Sequence, residues 1–159
     1  MKFLLDSNSF ITPALNYYAF DICGSYWGWI ANAARAGTVK SISPVKRELR
    51  KKDDQVRNWI DVHSKDLFIP DDSSVTAPMM NISTWVSSKN YTSAAVAEFL
   101  SKADSYLVAY ALLGNHQIVT LETSEPHRTN KVKIPDAGKA FGIKSITPYD
   151  MLRLHGVKF

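Results

Sequence analysis

The sequence predicts an α/β protein: a three-layer, doubly wound parallel sheet with helices on both faces. Three observations predict this class. Short apolar runs at residues 3–5, 39–42, 117–121 and 143–146 have the length of strands buried on both faces. Segments with helical spacing separate these runs, so that strands and helices alternate along the chain. Such alternation is typical of a parallel sheet whose strands are joined by helical crossovers.

The composition is that of an ordinary globular protein. Hydrophobic residues make up 45% of the 159 residues and charged residues 21%, which excludes a disordered or fibrous chain. This length predicts one domain over residues 1–159. The net charge of +4 permits a polyanionic partner, and the single cysteine, Cys23, excludes an internal disulfide. Asp6 interrupts the first apolar run and no later run could span a membrane, so we expect a cytoplasmic protein.

The first strand, Phe3–Leu5, stops at Asp6, and the polar residues that follow are of helix-capping types. They predict a short helix over residues 10–18 that is interrupted near Pro13, a residue that fits a helix's first turn. A second helix is predicted over residues 21–36, because a glycine follows it as a C-cap. The order strand, polar turn, helix places Asp6 at the carboxyl end of a strand, which is the ligand-binding edge of an open α/β sheet.

The second helix is unusually aromatic. The aromatic residues on or around it are Tyr17, Tyr18, Phe20, Tyr26, Trp27 and Trp29. No basic residue is interleaved among them, so stacking on nucleic-acid bases is the less favoured interpretation. We expect these side chains to pack on the sheet. Because Trp27 and Trp29 cannot both face one way, a contact with a second subunit is also expected.

The strand at 39–42 leads into Ser43 and Pro44, which predict the start of a helix that carries Glu48. The basic residues around Glu48 are Lys46, Arg47, Arg50, Lys51, Lys52 and Arg57. Two interpretations stay open: the run is a solvated helical face, or it marks a site for a phosphodiester backbone. The other elements predicted before residue 90 are a helix over 53–64, a minor strand at 67–69, a capping pair at Asp71 and Asp72, and a helix that includes 79–86.

In the last third of the chain, Thr92 caps a helix, and a largely apolar helix begins at Asp104 and is capped by Gly114. The strand at 117–121 leads directly to Glu122. The elements predicted after it are a loop over 123–130, an edge segment over Lys131–Pro135 with its lysines outward, a helix over 136–141, a strand at 143–146 and a helix from Thr147 to Leu154.

Four carboxylates stand near strand ends. Asp6 and Glu122 each end a strand, Glu48 follows another, and Asp104 begins the helix that precedes the strand at 117–121. Because the carboxyl ends of parallel strands share one edge of a sheet, all four can converge there. Converging carboxylates repel one another unless cations neutralise them, and oxygen-only ligation favours Mg²⁺ or Mn²⁺ over zinc. Singly, each acid has a plainer interpretation as a turn, capping or ion-pairing residue.

The motifs that carry these acids resemble a PIN domain, the fold of VapC-like toxin ribonucleases. They are Leu-Leu-Asp-Ser-Asn at Asp6, Glu48 after a strand, Ala-Asp-Ser-Tyr-Leu-Val-Ala-Tyr-Ala at Asp104 and Val-Thr-Leu-Glu at Glu122. The match covers nearly the whole chain in order. The aromatic insert and the later Lys-Val-Lys-Ile-Pro resemble a PIN subgroup that is catalogued only as a domain of unknown function.

The resemblance implies a fold, an activity and a set of residue roles. Asp6, Glu48 and Asp104 would be the catalytic metal ligands, with Glu122 at a fourth position where the family often has Asp. The implied activity is cleavage of RNA by a water that Mg²⁺ or Mn²⁺ activates, in a homodimer held inactive by a cognate antitoxin. Asn8 and Thr120 are expected to support the acids. The residues expected to guide the RNA are Lys46, Arg47, Arg50 and Lys133.

Two alternatives remain beside the ribonuclease. A haloacid-dehalogenase-like phosphatase also begins with a strand that ends in Asp, but Asn8 stands where that chemistry needs a general acid. A degenerate PIN fold would bind RNA or an antitoxin without cutting. The presence of all four acids favours the enzyme over this binding module.

Overall fold

The computed structural model describes residues 1–159 and contains one five-stranded, wholly parallel sheet. The strands are β1 (Phe3–Leu5), β2 (Val39–Ile42), β3 (Phe68–Ile69), β4 (Gln117–Val119) and β5 (Ser145–Ile146). They lie in the order β3-β2-β1-β4-β5. The chain therefore winds outward from β1 to one side of the sheet, and returns to β4 on the other side of β1. The doubly wound topology is confirmed.

Nine α-helices surround the sheet. They are α1 (Asn8–Thr12), α2 (Gly24–Arg35), α3 (Ser43–Leu49), α4 (Gln55–Leu67), α5 (Thr76–Ser87), α6 (Ser93–Ser101), α7 (Ala103–Gly114), α8 (Ile134–Ala140) and α9 (Pro148–Leu154). One layer contains α2 and α4, which pack on each other and on β2. On the other face α7 packs on β2 and β4, and α5, α6 and α8 pack on α7. None of the helices has the length and apolar character that a membrane span requires.

The first predicted helix is replaced by two shorter segments. α1 ends at Thr12, and residues Pro13–Tyr17 form a π-helix in which the Tyr18 N–H donates to the Pro13 carbonyl at 2.8 Å. Pro13 has no N–H to donate to the carbonyl of Ser9, so the α-helical ladder is interrupted there. The Tyr26 hydroxyl donates to that carbonyl instead, at 3.3 Å. Pro13 thus ends α1 and begins the π-helix, in agreement with the predicted interruption near this residue.

The aromatic segment belongs to the core. Residues 19–22 form a turn rather than helix, and α2 begins only at Gly24. Trp27 is 2% exposed, and its ring stacks on Phe20 at 4.0 Å between centroids. Trp29 is half-buried on the other side of the helix, 5.5 Å from the ring of His155. Both tryptophans therefore have partners within the chain, which accounts for their opposite directions without a second subunit.

Two segments in the last third of the chain, residues 131–135 and 143–146, differ from their predicted secondary structure. Lys131–Pro135 is not an edge strand, because Pro135 fits the first turn of a helix and α8 begins at Ile134. Lys133 lies with its side chain only 13% exposed, so it does not face outward. β5 contains only Ser145 and Ile146, because the N–H of Ile143 donates to Gly138 and closes α8 instead of pairing with the sheet.

The end of α7 is also shifted by one residue. Gly114 is its last residue, and Asn115 adopts the left-handed conformation with φ of 51°. Gly114 is needed for a different reason: a Cβ there would lie 2.1 Å from Cε1 of His116. The imidazole can therefore fold back against the helix end only because this position lacks a side chain.

Candidate acidic site

The site begins where β1 and β4 end side by side. In the order β3-β2-β1-β4-β5 the winding direction reverses between these two strands, and ligands of doubly wound sheets bind at this switch point. Asp6 follows β1, and its N–H donates to the carbonyl of Val119 at 3.0 Å. The Thr120 hydroxyl, at the end of β4, donates to Asp6 Oδ2 at 2.9 Å. The side chain of Asp6 is thereby fixed across the switch point.

Ser7 completes the support of Asp6. Its N–H donates to Asp6 Oδ1 at 2.6 Å, so each carboxylate oxygen accepts one hydrogen bond. Asn8, expected to provide this support, is exposed and forms no hydrogen bond with Asp6. The residues that position Asp6 are therefore Ser7 and Thr120. Ser7 was not identified from the sequence; the only signal that could have indicated it is its position directly after a strand-terminal Asp.

Glu48 joins three segments. Its Oε2 accepts a hydrogen bond from the Ser7 hydroxyl at 2.7 Å, and its Oε1 accepts one from the N–H of Ala103 at 3.2 Å. Ala103 is the first residue of α7, whose N-cap residue Lys102 provides no side-chain cap. A carboxylate from α3 thus satisfies an otherwise unpaired N–H of α7. This arrangement ties α3 to the start of α7 and brings Glu48 to the site.

Asp104 lies in the first turn of α7 and is half-buried. Unlike the other three acids, it accepts no hydrogen bond from the protein. Lys102 and Lys131 lie near enough for their charges to lower its pKa, yet neither forms an ion pair with it. Asp104 is therefore the acid whose oxygens are most available to a ligand.

Glu122 contacts the start of α8. Its Oε2 accepts a hydrogen bond from the N–H of Ile134 at 2.9 Å, and Lys131 Nζ lies 3.7 Å from its Oε1. Its own N–H donates to the Thr120 hydroxyl at 3.1 Å. Glu122 thus caps α8 as Glu48 caps α7. All four predicted acids lie around the carboxyl ends of β1 and β4.

The acids disturb one another electrostatically. The pKa of Asp6 is raised to about 7, chiefly by burial and also by the charges of Asp104 and Glu122, against the opposing hydrogen bonds from Thr120 and Ser7. Burial likewise raises the pKa of Asp104 to about 6, with contributions from the charges of Glu122 and Glu48. Two carboxyl groups with raised pKa values in one cleft are typical of a functional site, although buried ion networks also produce them.

These pKa values predict that the metal-free protein loses stability as the pH rises. Asp6 and Asp104 bind protons more tightly in the folded chain than in the unfolded one, so their contribution is complete below pH 4 and is lost by about pH 7. The half-buried histidines His63 and His116 act in the opposite sense, because burial lowers the pKa of each. We expect urea unfolding in EDTA to show a decrease of about 2–4 kcal/mol between pH 5 and pH 8, the lower value allowing for the opposing histidines.

The control for this prediction is a double variant, Asp6→Asn with Asp104→Asn. It removes both titrating acids, so its free energy of unfolding should no longer fall over the same interval, and the two histidines alone should raise it slightly. A wild-type protein whose free energy of unfolding is constant or rises from pH 5 to pH 8 would contradict the prediction.

The donor chemistry of the site suits a hard divalent ion. All four acids provide oxygen ligands, and no histidine or thiol lies among them. As the side chains lie, however, no three His, Cys, Asp or Glu residues are placed to hold one ion together. Glu48 and Glu122 use their oxygens on helix N-termini instead. The residues therefore fit a magnesium or manganese ion in charge and ligand type, with Asp6 and Asp104 as the pair that lacks a neutralising cation.

The four basic residues expected to guide RNA mostly have partners within the chain. Arg47 pairs with Asp71 at 2.7 Å and Arg50 with Asp61 at 3.1 Å. Lys46 donates to the hydroxyl of Ser64, and Lys133 Nζ lies 3.2 Å from Glu125 Oε1. The basic run on α3 is thus neutralised in part by residues that lie far from it in sequence.

Comparisons with known proteins agree with this architecture. A family model described as a domain of unknown function (DUF4411) matches residues 3–159. No curated protein sequence matches the chain. The crystal structure of VapBC2 from Rickettsia felis bound to a DNA fragment from their promoter is similar, with a TM-score of 0.56 and 18% identity over 92% of this chain and 98% of that one.

The crystal structure of FitAcB from Neisseria gonorrhoeae is similar too, with a TM-score of 0.53 and 14% identity over 92% of this chain and 98% of that one. At these identities the likeness shows the fold. The PIN-like fold that the motifs at the four acids implied is confirmed.

Proposed function

Since the chain belongs to the DUF4411 family, a family of domains of unknown function, we propose its activity from the acidic site. The activity is divalent-metal-dependent endoribonuclease cleavage of RNA. One observation carries the proposal: Asp6 and Asp104 lie at the switch point of the sheet, and the charge of Asp104 helps to raise the pKa of Asp6. Because neither acid forms an ion pair within the chain, this pair gains most from a bound divalent ion. The mild excess of positive charge on the chain agrees with an anionic substrate.

Each acid has a distinct part in the proposed reaction. Asp6 and Asp104 hold Mg²⁺ or Mn²⁺, and Glu48 and Glu122 add negative charge to the same cleft. The bound ion would supply charge neutralisation at the phosphate and a more acidic water. Ser7 and Thr120 keep the Asp6 carboxylate in one orientation through hydrogen bonds of 2.6 and 2.9 Å. They also favour its ionised form, which is the form that binds a cation.

We extend the proposal to the biological role of a toxin in a toxin–antitoxin pair. The motifs resemble VapC-like toxins, and the fold resembles that of VapBC2. The partners are then an RNA substrate, a cognate antitoxin protein and a second copy of the chain in a homodimer. Gene context provides a check: a short reading frame overlapping or directly upstream is expected for a toxin, and its absence in related genomes would contradict this role.

A second candidate is a non-catalytic PIN-fold domain that binds RNA or an antitoxin. The observation that favours it is the use of Glu48 and Glu122 as caps of α7 and α8, with no three acids placed to hold an ion. A phosphatase of the haloacid-dehalogenase type is not proposed. Asn8 offers no acidic proton where that reaction needs one, and the fold is PIN-like.

The ribonuclease is tested with purified protein and total cellular RNA. We expect discrete cuts with Mn²⁺ or Mg²⁺, no cuts in EDTA, and none with Asp104→Asn in either metal. A matched control is Asp21→Asn, since Asp21 is exposed, forms no ion pair and is not one of the four acids. The control should cut as the wild type does.

Metal binding is measured separately from cleavage. At pH 8 we expect Mn²⁺ to raise the melting temperature of the wild type and of Asp21→Asn, because an ion that binds only the folded chain stabilises it. Asp104→Asn should show a much smaller increase. If the wild-type protein binds RNA but leaves it intact, the result would instead support the non-catalytic binding domain.

A further inference from the structure

A cavity of ≈690 Å³ lies beside the acidic site, between the end of α5, the segment 124–129 and α8. Its lining combines the aromatic and basic side chains of Trp85, Tyr91, Lys89, Arg128 and Lys139. One acid, Asp136, also lines it, and its carboxylate accepts hydrogen bonds from Ser124 and Glu125. The volume is within the range of cavities that hold small ligands. Such a lining differs from the acidic edge of the sheet in both charge and chemistry.

The walls of this cavity are fixed by hydrogen bonds. The Ser124 hydroxyl and the Glu125 N–H both donate to the carboxylate of Asp136 on α8, the second at 2.9 Å. On the opposite side the Thr92 N–H donates to the carbonyl of Thr129 at 2.9 Å. The segment between β4 and α8 is thus attached to both α6 and α8. The cavity is formed before any ligand binds.

The cavity is adjacent to the acids. A second cleft of ≈590 Å³ is lined by Thr120 and Glu122, and Ser124 lines both spaces. A linear polymer bound at the acidic site could therefore continue past Ser124 into the cavity. This continuity connects the two sites along one surface.

Lys89 and Lys139 differ from the basic residues of α3. Both are exposed and neither forms an ion pair, whereas Arg47 and Arg50 are each paired with an aspartate. Unpaired lysines at the rim of a cavity attract anions, above all phosphate. Trp85 is half-buried at the same cavity and contributes a large π-surface on which a base can stack.

We propose that this cavity is a subsite for one unpaired nucleotide of single-stranded RNA. The base lies against Trp85 and Tyr91, and Lys89 and Lys139 contact the flanking phosphates. Because a paired base cannot enter a cavity, the subsite selects single-stranded over duplex RNA. The inference rests on the proposed function, since it takes the chain that enters the cavity to be the RNA held at the acids.

The subsite is tested by RNA binding in EDTA, where no cleavage interferes. The probe is a short labelled single-stranded RNA, with a duplex of the same sequence for comparison. The variant Lys89→Ala with Lys139→Ala is matched by Lys2→Ala with Lys65→Ala, which removes the same charge at exposed positions away from the cavity. We expect the cavity variant to bind single strands on the order of ten-fold more weakly than the control.

Two further readouts separate a specific contact from a general loss of charge. The slope of log Kd against log salt should decrease by about 1.4 in the cavity variant, as expected for two lost phosphate contacts on a single strand. RNA should quench tryptophan emission in the wild type, and Trp85→Phe should abolish most of that quenching while the other three tryptophans remain.

Binding of the cavity variant equal to that of the control, quenching that persists in Trp85→Phe, or equal affinity for duplex and single strand would overturn the subsite. If the wild type still cuts RNA with Mn²⁺ in that case, the ribonuclease proposal stands without it. If instead the cavity variant binds poorly but the wild type never cuts, the ribonuclease proposal fails and the subsite stands.

Discussion

Asp6→Asn should abolish metal-dependent cleavage and, at the same time, raise the melting temperature of the metal-free protein. The loss of cleavage is expected to be about a thousand-fold, because several kcal/mol of charge stabilisation depend on a ligand of the ion. The gain in stability follows from the pKa of Asp6, which burial raises to about 7. At pH 8 the native chain holds a buried charge that asparagine does not carry.

The asparagine can be accommodated by the existing hydrogen bonds. Its carbonyl oxygen can accept from the Ser7 N–H, which donates to Asp6 Oδ1 at 2.6 Å. The hydroxyl of Thr120, which donates to Asp6 Oδ2, can rotate and accept from the amide instead. We therefore expect a gain of about 1–2 kcal/mol at pH 8, or about 2–8 °C in melting temperature, for a chain of this size.

The measurement is a pair of assays on the same preparations: RNA cleavage with Mn²⁺, and thermal denaturation in EDTA at pH 5 and pH 8. Asp21→Asn is the matched control, because Asp21 is exposed and forms no ion pair. It should change neither cleavage nor melting temperature. Cleavage that survives Asp6→Asn would contradict the role of Asp6 as a metal ligand. A lower melting temperature of this variant at pH 8 would contradict the claim that the buried charge of Asp6 destabilises the metal-free protein.

The positions of the acids were predictable because they depend on strand ends. Asp6 and Glu122 follow apolar runs that can only be buried strands, and a parallel sheet brings such ends to one edge. The hydrogen bonds of the acids were not predictable. Glu48 accepts from Ser7 and from Ala103, which lie 41 and 55 residues away in sequence. No local pattern reports contacts at that separation, so the capping role of Glu48 emerges only from the fold.

The ion pairs of the basic residues on α3 could not be predicted either, because their partners are distant in sequence. Lys46, Arg47 and Arg50 form a dense run in sequence, and a dense run suggests a site for phosphodiesters. In the fold Arg47 forms an ion pair with Asp71 and Arg50 forms one with Asp61. These pairs form because α3 packs beside α4, which carries Asp61, and beside β3, which Asp71 follows. Local charge density therefore overestimates the free positive charge. The unpaired lysines near the acids are isolated in sequence and become neighbours only in the folded chain.

The second large effect concerns Trp27 in the aromatic segment. Trp27→Ala should reduce the free energy of unfolding by about 3–5 kcal/mol, the usual cost of removing a buried tryptophan or phenylalanine ring. Its ring stacks on Phe20 at 4.0 Å and meets Trp59 edge to face at 5.0 Å, and its Nε1 donates to the Tyr18 carbonyl at 2.6 Å. The substitution would remove all three contacts and leave that carbonyl without its donor.

Trp29→Ala is the matched comparison, because it removes the same side chain two residues away. Trp29 is half-buried and contacts His155 at 5.5 Å, so its loss should cost about 1 kcal/mol. Urea denaturation of both variants measures the difference, and size-exclusion chromatography reports any change of oligomeric state. Similar costs for the two variants would show that Trp27 is not a core residue. If Trp27→Ala changed the oligomeric state while leaving the stability of the monomer intact, the helix would be an interface, and its stacked rings would have to be explained by a second subunit.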